Sequence, residues 1–236
     1  MEQSKKLYSL LGELPPRKLP VKAEIIEEKE YPKFIMEYIL LDCNGLEKVP
    51  AFMAIPKVRS GKVPAILYNH SHGGRHHVGK NELIEGAPYI YKPWINDIID
   101  NGYAVLAIDH WGFGERATRT ESSIFKEFLW NGRVMWGMMV YDSLRALDYL
   151  CSRNDVDKNR IATLGMSMGS TMAWYAAALD SRIKVCIDIC CLTDFDSLIK
   201  HNRLDCHGIY YYVPKLLKYL GLHQNLWVNV RKTAFT

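Results

Sequence analysis

The chain has 236 residues, of which 48% are hydrophobic and 24% charged, with a formal net charge of +4. This composition is typical of one soluble globular domain with a substantial core. The mild positive charge comes without a basic block, so no nucleic-acid partner is predicted, and no stretch approaches the roughly 20 apolar residues of a membrane span. Lys5 and Lys6 are not followed by a sustained apolar run, so we predict no secretory signal.

The six cysteines show no regular spacing, and three of them fall in or beside one predicted strand. They are Cys43, Cys151, Cys186, Cys190, Cys191 and Cys206. We therefore predict buried free thiols in a reducing cytoplasm and no disulfide framework. A redox or metal role for the adjacent pair Cys190-Cys191 is the alternative.

The first predicted elements are an amphipathic segment from Lys5 to Leu11 and a Pro-rich connector from Leu14 to Pro20. Two strand-like stretches follow at 34–41 and 49–55. The residues between them include Asp42-Cys-Asn-Gly, a sequence typical of a hairpin connection. These stretches therefore predict an antiparallel pair near the start of the fold.

Strand-like and helical patterns alternate through the rest of the chain. Continuous apolar runs or shorter apolar segments predict strands at 63–69, 103–109, 161–164 and 183–191, and helical periods occur at 91–101 and 133–153. This alternation predicts an α/β fold with a doubly wound, mostly parallel sheet and right-handed crossovers. We find no repeat and no linker, so residues 1–236 are predicted to form one domain, with a helix and connector at 1–20 and an atypical tail at 220–236.

The most informative stretch is Arg160-Ile-Ala-Thr-Leu-Gly-Met-Ser-Met-Gly-Ser-Thr, which places Ser167 in a Gly-x-Ser-x-Gly frame. A predicted strand precedes Gly165 and an Ala-rich segment follows Gly169, which is the strand–turn–helix context of a nucleophile elbow. Strand and helix nearly touch at such a turn, so the residues two positions before and after the serine have to be small. Ser167 is therefore the predicted catalytic nucleophile; a Gly-rich turn with an incidental serine is the alternative.

A serine nucleophile needs N–H donors directed at the developing oxyanion, and the first is usually the amide of the next residue, here Met168. The second is expected from the loop Asn69-His-Ser-His-Gly-Gly-Arg-His-His, where Gly73 and Gly74 let backbone amides turn toward the site. We predict that the amide of His72 is this second donor.

Four histidines in the same loop raise the alternative of a metal site. They are His70, His72, His76 and His77. Their spacing departs from the metallo-β-lactamase pattern His-x-His-x-Asp-His, because Gly74 and Arg75 stand at the positions of its Asp and third His. No metal is therefore predicted, and His70 is expected to be a structural residue beneath the loop. A metal-dependent hydrolase remains an alternative.

A second active-site loop is predicted at Asp109-His-Trp-Gly-Phe-Gly-Glu. We interpret Asp109 as a hydrogen-bonding support for loops and not as a proton donor. Aromatic residues between Phe113 and Trp130, with Tyr210 to Tyr212, are expected to shape the pocket. Plain loop packing is the alternative for the first of these segments.

Taken together, these residues resemble the α/β-hydrolase superfamily, and within it the dienelactone-hydrolase and acetyl-xylan-esterase-like bacterial enzymes. The matching pieces are Ala65-Ile-Leu-Tyr-Asn-His-Ser-His-Gly-Gly, Val105-Leu-Ala-Ile-Asp-His-Trp-Gly-Phe-Gly, Asp142-Ser-Leu-Arg-Ala-Leu-Asp-Tyr-Leu and Asp157-Lys-Asn-Arg-Ile-Ala-Thr-Leu-Gly-Met-Ser-Met-Gly. Ser71 stands where the family's His-Gly-x-Gly motif has its first glycine. The resemblance covers roughly Val21 to Tyr219. It implies hydrolysis of carboxylic esters through an acyl-enzyme intermediate, with no cofactor.

The resemblance fails toward the end of the chain. The superfamily places its acid and then its histidine after the serine, yet after Tyr219 neither a further acid-bearing strand end nor a histidine loop is found. We therefore expect a C-terminally shortened form without the last strands and helices, and with impaired activity. Asp194 and His223 are the substitutes that keep the chain order; a helix cap and a surface residue are their alternative roles.

These observations favour a cytoplasmic serine esterase that acts on a small-molecule ester, without a membrane or nucleic-acid partner. A non-catalytic hydrolase-like remnant or binding module is the alternative. The strand near Val185–Ile189 is expected to form an unpaired apolar edge, which would favour a homodimer.

Overall fold

In the computed structural model, which describes residues 2–190 and 195–220, the chain forms a sheet with helices on both sides. The strands are β1 (Lys22–Glu30), β2 (Phe34–Asp42), β3 (Val49–Pro56), β4 (Val63–Asn69), β5 (Ala104–Ile108), β6 (Val156–Met166) and β7 (Ile183–Ile189). The helices are α1 (Glu2–Ser9), α2 (Glu82–Glu85), α3 (Ile95–Asp100), α4 (Glu121–Trp130), α5 (Met135–Ser152), α6 (Met168–Leu179), α7 (Phe195–Lys200) and α8 (Leu216–Leu220). Short 3-10 turns lie at 79–81, 114–116, 204–206 and 209–211.

The strands lie in the order β1-β2-β3-β5-β4-β6-β7. Neighbouring strands are antiparallel in the first part of this order, from β1 through β2 and β3 to β5. They are parallel in the rest, from β5 through β4 and β6 to β7. Strand β4 therefore lies between β5, the next strand along the chain, and β6, the strand that follows β5. The predicted α/β architecture is confirmed, and this reversal of strand order brings the carboxyl ends of β4 and β6 together, where ligands bind in open α/β sheets.

Apolar side chains cover the two faces of the sheet. One core packs α1, α5 and α6 against the sheet and includes the fully buried Trp136 and Trp174. The other core packs α3 against the opposite face, through residues such as Ile66, Ile98 and Val105. Parallel strands buried on both faces explain the continuous apolar runs that predict β4 and β5.

The element predictions differ from the structure where sequence periodicity was weak. Strand β4 has the predicted bounds, but the helix expected at 91–101 is only α3, since Pro93 carries no backbone N–H and the chain enters the helix just after it. Strand β1 was not predicted, because all nine of its residues are exposed and no apolar alternation marks it. Helix α4 was also missed; Thr120 begins it by accepting a hydrogen bond from the amide of Ser123 at 3.2 Å.

The prediction of buried thiols is right for one cysteine and wrong for two. Cys43 is buried, whereas Cys190 and Cys206 are exposed. Cys190 directly follows strand β7, and Cys206 lies in the 3-10 turn at 204–206. Across the described part of the chain, no helix has both the length and the apolar character that a membrane crossing requires.

A buried ion pair fixes the loop after β5 to helix α5. The Arg116 guanidinium donates to Asp142 at 2.9 Å and to the carbonyl of Asp109 at 2.9 Å, and Asn44 donates to the other Asp142 oxygen at 2.8 Å. Burial raises the pKa of Asp142, and the guanidinium of Arg116 opposes that effect. The pair therefore holds a carboxylate that has no access to water.

We expect Arg116→Met to lower the free energy of unfolding by about 3–5 kcal/mol, because it leaves the Asp142 charge buried without its cation. Arg119→Met is the matched control, since the Arg119–Glu127 pair is exposed on both sides and its loss should cost less than about 1 kcal/mol. Urea unfolding followed by circular dichroism measures both. Equal losses in the two variants would contradict the role given to the buried pair.

Candidate active site

Ser167 lies in a sharp turn between β6 and α6. Its backbone angles are φ 54° and ψ −117°, a left-handed conformation that side-chain-bearing residues rarely adopt. The Ser167 amide donates to the carbonyl of Ile189 in β7 at 2.9 Å, and its carbonyl accepts from the Thr171 amide at 3.1 Å. The turn is the strained strand-to-helix geometry expected of a nucleophile elbow, and it leaves the serine side chain half-buried.

Two glycines allow helix α6 to approach the strands this closely. A Cβ atom on Gly165 would overlap the carbonyl of Gly169, and a Cβ on Gly169 would overlap the carbonyl of Asn69 at the end of β4. It would also lie 2.8 Å from the carbonyl oxygen of His70. The first turn of α6 therefore rests directly on the loop that leaves β4.

That loop is held in place by buried polar groups. Asn69, opposite Gly165 in the β4–β6 register, donates to the Thr163 hydroxyl at 2.9 Å. The His70 ring bonds the backbone through both nitrogens: Nδ1 donates to the Ser71 carbonyl at 2.8 Å and Nε2 accepts from the His110 amide at 3.3 Å. Burial lowers the pKa of His70. This is the structural position that the sequence suggested for His70.

His72 follows at the point where the loop turns. Gly73 and Gly74 both have positive φ, and the Gly74 amide donates to Nδ1 of the His72 ring at 2.9 Å. Burial, then the neighbouring His76, His70 and His207 rings, lower the pKa of His72 to about 4. Neither the backbone amide of His72 nor that of Met168 donates a hydrogen bond to any residue the structure describes. Within the described residues, both amides are therefore available to donate to a bound molecule.

A buried carboxylate that the sequence did not single out anchors this loop. Glu82 accepts from the Ser71 amide at 2.8 Å, from the Ser71 hydroxyl, and from the Tyr68 hydroxyl at 2.6 Å. The Tyr89 hydroxyl donates to it at 3.2 Å. The side chain of Ser71 thus has its own contact, which accounts for a serine at the position where the His-Gly-x-Gly motif has its first glycine. No local pattern marks Glu82, because Ser71 and Tyr68 lie 11 and 14 positions away.

Asp109 braces the second loop. It is fully buried and accepts from the Lys80 amide at 2.7 Å, from Lys80 Nζ at 2.9 Å and from the Glu115 amide at 3.0 Å. A Cβ on Gly79 or Gly114 would overlap its carboxylate. These contacts agree with the expectation that Asp109 supports loops and is not a proton donor.

His110 lies beneath the same loops. Its ring is fully buried, 5.0 Å from the His70 ring centre, and neither ring nitrogen has a hydrogen-bond partner among the described residues. Burial, followed by the neighbouring His70 and Arg116, lowers its pKa well below the usual value for histidine. The imidazole is therefore neutral at pH 7.

Phe113 joins the aromatic residues around the site. Its ring stacks on His76 at 4.7 Å and lies 5.7 Å from His72 and 5.5 Å from Tyr210, measured between ring centres. The predicted aromatic segments thus meet beside the loop that follows β4, through Phe113 and Tyr210. Trp130, in contrast, is 92% exposed, so it packs against neither of them.

Neither the predicted acid nor the predicted base belongs to the part of the chain that the structure describes. Asp194 and His223 lie outside the described residues. Among the described residues, the Ser167 hydroxyl has no hydrogen-bond partner. His207, half-buried against Tyr211 at 4.5 Å between ring centres, is near enough to His72 to affect its pKa, and its own pKa is lowered by burial.

The histidine loop does not assemble a metal site in the part of the chain that is described. No group of three or more His, Cys, Asp or Glu side chains is placed there to hold an ion. The His72 and His76 rings lie 5.4 Å apart, whereas both nitrogens of His70 face backbone groups.

Comparison with known proteins agrees with this architecture. A Bacillus subtilis (strain 168) protein named "Putative hydrolase YtaP" is 55% identical over 221 residues, which cover 93% of this chain and 74% of that protein. The crystal structure of acetyl xylan esterase 1 from Thermoanaerobacterium sp. JW/SL YS485 matches 98% of this chain and 71% of its own, with 15% identity and a TM-score of 0.63. A "putative acetyl xylan esterase" from Bacteroides fragilis NCTC 9343 matches with 18% identity and a TM-score of 0.63 over 78% of this chain.

The chain spans about half (51%) of the length of the Bacteroides fragilis protein. At 15% and 18% identity, the two structural matches show the fold alone. The family is shown by the match of the amino-acid sequence to a family model. Residues 17–225 match the family model of acetyl xylan esterase (AXE1), from the connector before β1 to beyond α8. The chain belongs to the acetyl xylan esterase (AXE1) family.

Proposed function

We propose that this protein is a serine esterase that hydrolyses small carboxylic esters, with acetylated sugars as its substrate class, through an acyl-enzyme intermediate on Ser167. The left-handed turn at Ser167, between β6 and the first turn of α6, is the observation that carries the proposal. Such strain persists only where the surrounding structure imposes it, and it is concentrated at functional sites. The substrate class follows from the family, whose model is named for acetyl xylan esterase.

In this mechanism the Ser167 oxygen attacks the ester carbonyl, and the oxyanion accepts hydrogen bonds from the amides of Met168 and His72. Met168 is the first residue of the 12-residue helix α6, so the positive end of the helix dipole adds to the stabilisation. The alcohol then leaves with a proton, and water attacks the acyl group to release the acid. One such donor is typically worth about two to three powers of ten in kcat.

A full rate requires a base that takes the proton from Ser167. Asp194 and His223 keep the order serine, acid, histidine, and we assign them these roles. His207 is the competing candidate, since its half-buried ring lies beside His72 and its Nδ1 is buried without a partner among the described residues.

The second candidate function is a non-catalytic hydrolase-like module. It is favoured by the Ser167 hydroxyl, which no described imidazole contacts. The two functions differ in one simple measurement, because only the esterase turns over a short-chain aryl ester in a manner that depends on Ser167.

We expect a fluorophosphonate probe to label Ser167, and Ser167→Ala to lose both the label and about three or more powers of ten in kcat for p-nitrophenyl acetate. Ser152→Ala is the control, since its hydroxyl donates to the Tyr149 carbonyl within α5 at 2.7 Å. Labelling is read by peptide mass spectrometry. Folded wild-type protein that takes up no probe would remove activated serine chemistry from the account.

Replacement of the two histidines separates the candidate bases. His223→Ala should lower kcat by about 10³-fold or more with KM nearly unchanged, because it removes proton transfer and not substrate binding. His207→Ala should change kcat by less than about tenfold. The reverse ranking would transfer the role of base to His207.

Acid should destabilise the loops around the site. The folded-state pKa of His70, His72, His110 and His207 is lowered, so the unfolded chain binds more protons as the pH falls below about 6.5. Their contribution to stability is complete above that pH and is lost toward pH 4.

His110→Phe should therefore make the free energy of unfolding less dependent on pH. We expect its drop between pH 7 and pH 5 to become smaller by about 2 kcal/mol. Ile124→Leu, a buried change in α4 that removes no ionisable group, is the control for an effect of repacking alone. Urea titrations at the two pH values measure the drop. An unaltered drop in His110→Phe would show that this imidazole is protonated equally in both states.

A further inference from the structure

The imidazole ring of His72 has no part in the reaction steps given above. Only the backbone amide of this residue serves as an oxyanion donor, whereas its ring is half-buried and lies against three other rings. The ring centres of His76, Phe113 and Tyr210 are 5.4, 5.7 and 5.8 Å from that of the imidazole. The side chains of Phe113 and Tyr210 are fully buried. Packing therefore restricts the orientation of the His72 ring.

A hydrogen bond within the loop decides which ring nitrogen of His72 carries the proton. The Gly74 amide donates to Nδ1 at 2.9 Å, so Nδ1 presents its lone pair. A neutral imidazole then has its N–H group at Nε2. Burial, as the largest cause, lowers the pKa of His72 to about 4, and the ring is neutral at pH 7. The ring thus offers one hydrogen-bond donor, and its lone pair is already engaged, so it is unsuited to act as a base.

The Nε2–H group of His72 is open to a bound molecule. Nε2 has no hydrogen-bond partner in the part of the chain that the structure describes. Unlike the two ring nitrogens of His110, which are buried, Nε2 remains accessible to solvent. The loop also holds the residue by its backbone, because the Arg75 amide donates to the His72 carbonyl at 2.5 Å. The donor is therefore fixed in place before a ligand arrives.

The position of the ring indicates which part of an ester it meets. The first turn of α6, directly after Ser167, rests on the carbonyls of Asn69 and His70, two residues before His72. The Nε2–H group lies at the tip of the ring and points away from the backbone of its own residue, so the ring and the amide serve different oxygen atoms. The acetyl carbonyl oxygen is taken by the amides of Met168 and His72. The ring is left for the alcohol part of the substrate.

We propose that the Nε2–H group of His72 donates a hydrogen bond to a hydroxyl group on the carbon next to the ester, and thereby selects acetates of sugars and other vicinal diols. This inference rests on the proposed function. The ester oxygen itself receives a proton from the general acid as the alcohol leaves, so the neighbouring hydroxyl is the acceptor that remains. An alcohol without that hydroxyl leaves a half-buried donor unpaired, which is the basis of discrimination.

Two acetates that differ by one hydroxyl group test the contact: the monoacetate of vicinal trans-cyclohexanediol, and cyclohexyl acetate. We expect wild-type protein to favour the diol monoacetate about fivefold in kcat/KM, the factor that one hydrogen bond typically contributes. His72→Phe keeps a ring without an N–H group and should lose this preference. His72→Gln brings an amide N–H near the position of Nε2 and should retain it. His77→Phe, at an exposed position of the same loop, is the matched control and should also retain it.

The ratio of the two kcat/KM values separates the contact from general damage to the loop. Both acetates use the same oxyanion donors, so a displaced amide lowers both rates equally and leaves their ratio unchanged. An unchanged preference in His72→Phe would overturn the proposal. Equal kcat/KM values for the two acetates in wild-type protein would also overturn it, although the esterase function would stand.

NMR tests the same contact without turnover. The ligand is the amide analogue of the diol monoacetate, in which nitrogen replaces the ester oxygen. In long-range proton–nitrogen spectra His72 should carry its proton on Nε2, and the analogue should shift the Nε2 resonance more than the corresponding amide of cyclohexyl acetate does. A ring protonated on Nδ1, or equal shifts with the two amides, would overturn the proposal. Wild-type protein that hydrolyses neither acetate would contradict the esterase function, and these spectra would still decide the contact.

Discussion

The contact between helix α6 and the end of β4 is the constraint on which the rest of this site depends. Gly169 places its backbone against the carbonyls of Asn69 and His70, and Gly165 accommodates the returning Gly169 carbonyl. With strand and helix this close, the residue between them has to turn sharply, and Ser167 takes a left-handed conformation. The backbone strain at Ser167 is thus a consequence of the close packing of two glycines, Gly165 and Gly169, against neighbouring backbone.

The same packing sets the positions of the two loops. Helix α6 rests on the loop after β4, so that loop has to be rigid if the turn is to be maintained. Two buried carboxylates provide this rigidity: Glu82 holds the Ser71 backbone and side chain, and Asp109 holds Lys80 and the loop after β5. Buried carboxylates are costly unless fully hydrogen-bonded, and each of these accepts at least three hydrogen bonds. The amides of His72 and Met168, which have no partner among the described residues, are therefore held in place by a stiff scaffold.

Much of this arrangement was predictable from local sequence, and what was not depends on distant partners. The elbow could be found because its requirements, small residues on both sides of a serine between strand and helix, are met within five residues. The apolar runs of β4 and β5 were visible because strands covered on both faces need no alternation. Strand β1 left no such signal, as its residues are exposed throughout. Glu82 and Lys80 were missed because their burial is decided by Tyr68 and Asp109, which are distant in sequence. The catalytic role of Ser167 and the oxyanion roles of Met168 and His72 remain predictions, and Asp194 and His223 lie outside the described residues.

The central claim is that the backbone turn makes the Ser167 oxygen a nucleophile toward esters. Rapid mixing of the protein with a short-chain acetyl ester, followed by acid quenching and peptide mass spectrometry, tests it most directly. The account predicts one acetyl group per chain, located on Ser167 and formed before steady-state turnover. Hydrolysis without any acylated serine, or acetylation of another residue at the same rate, would contradict it.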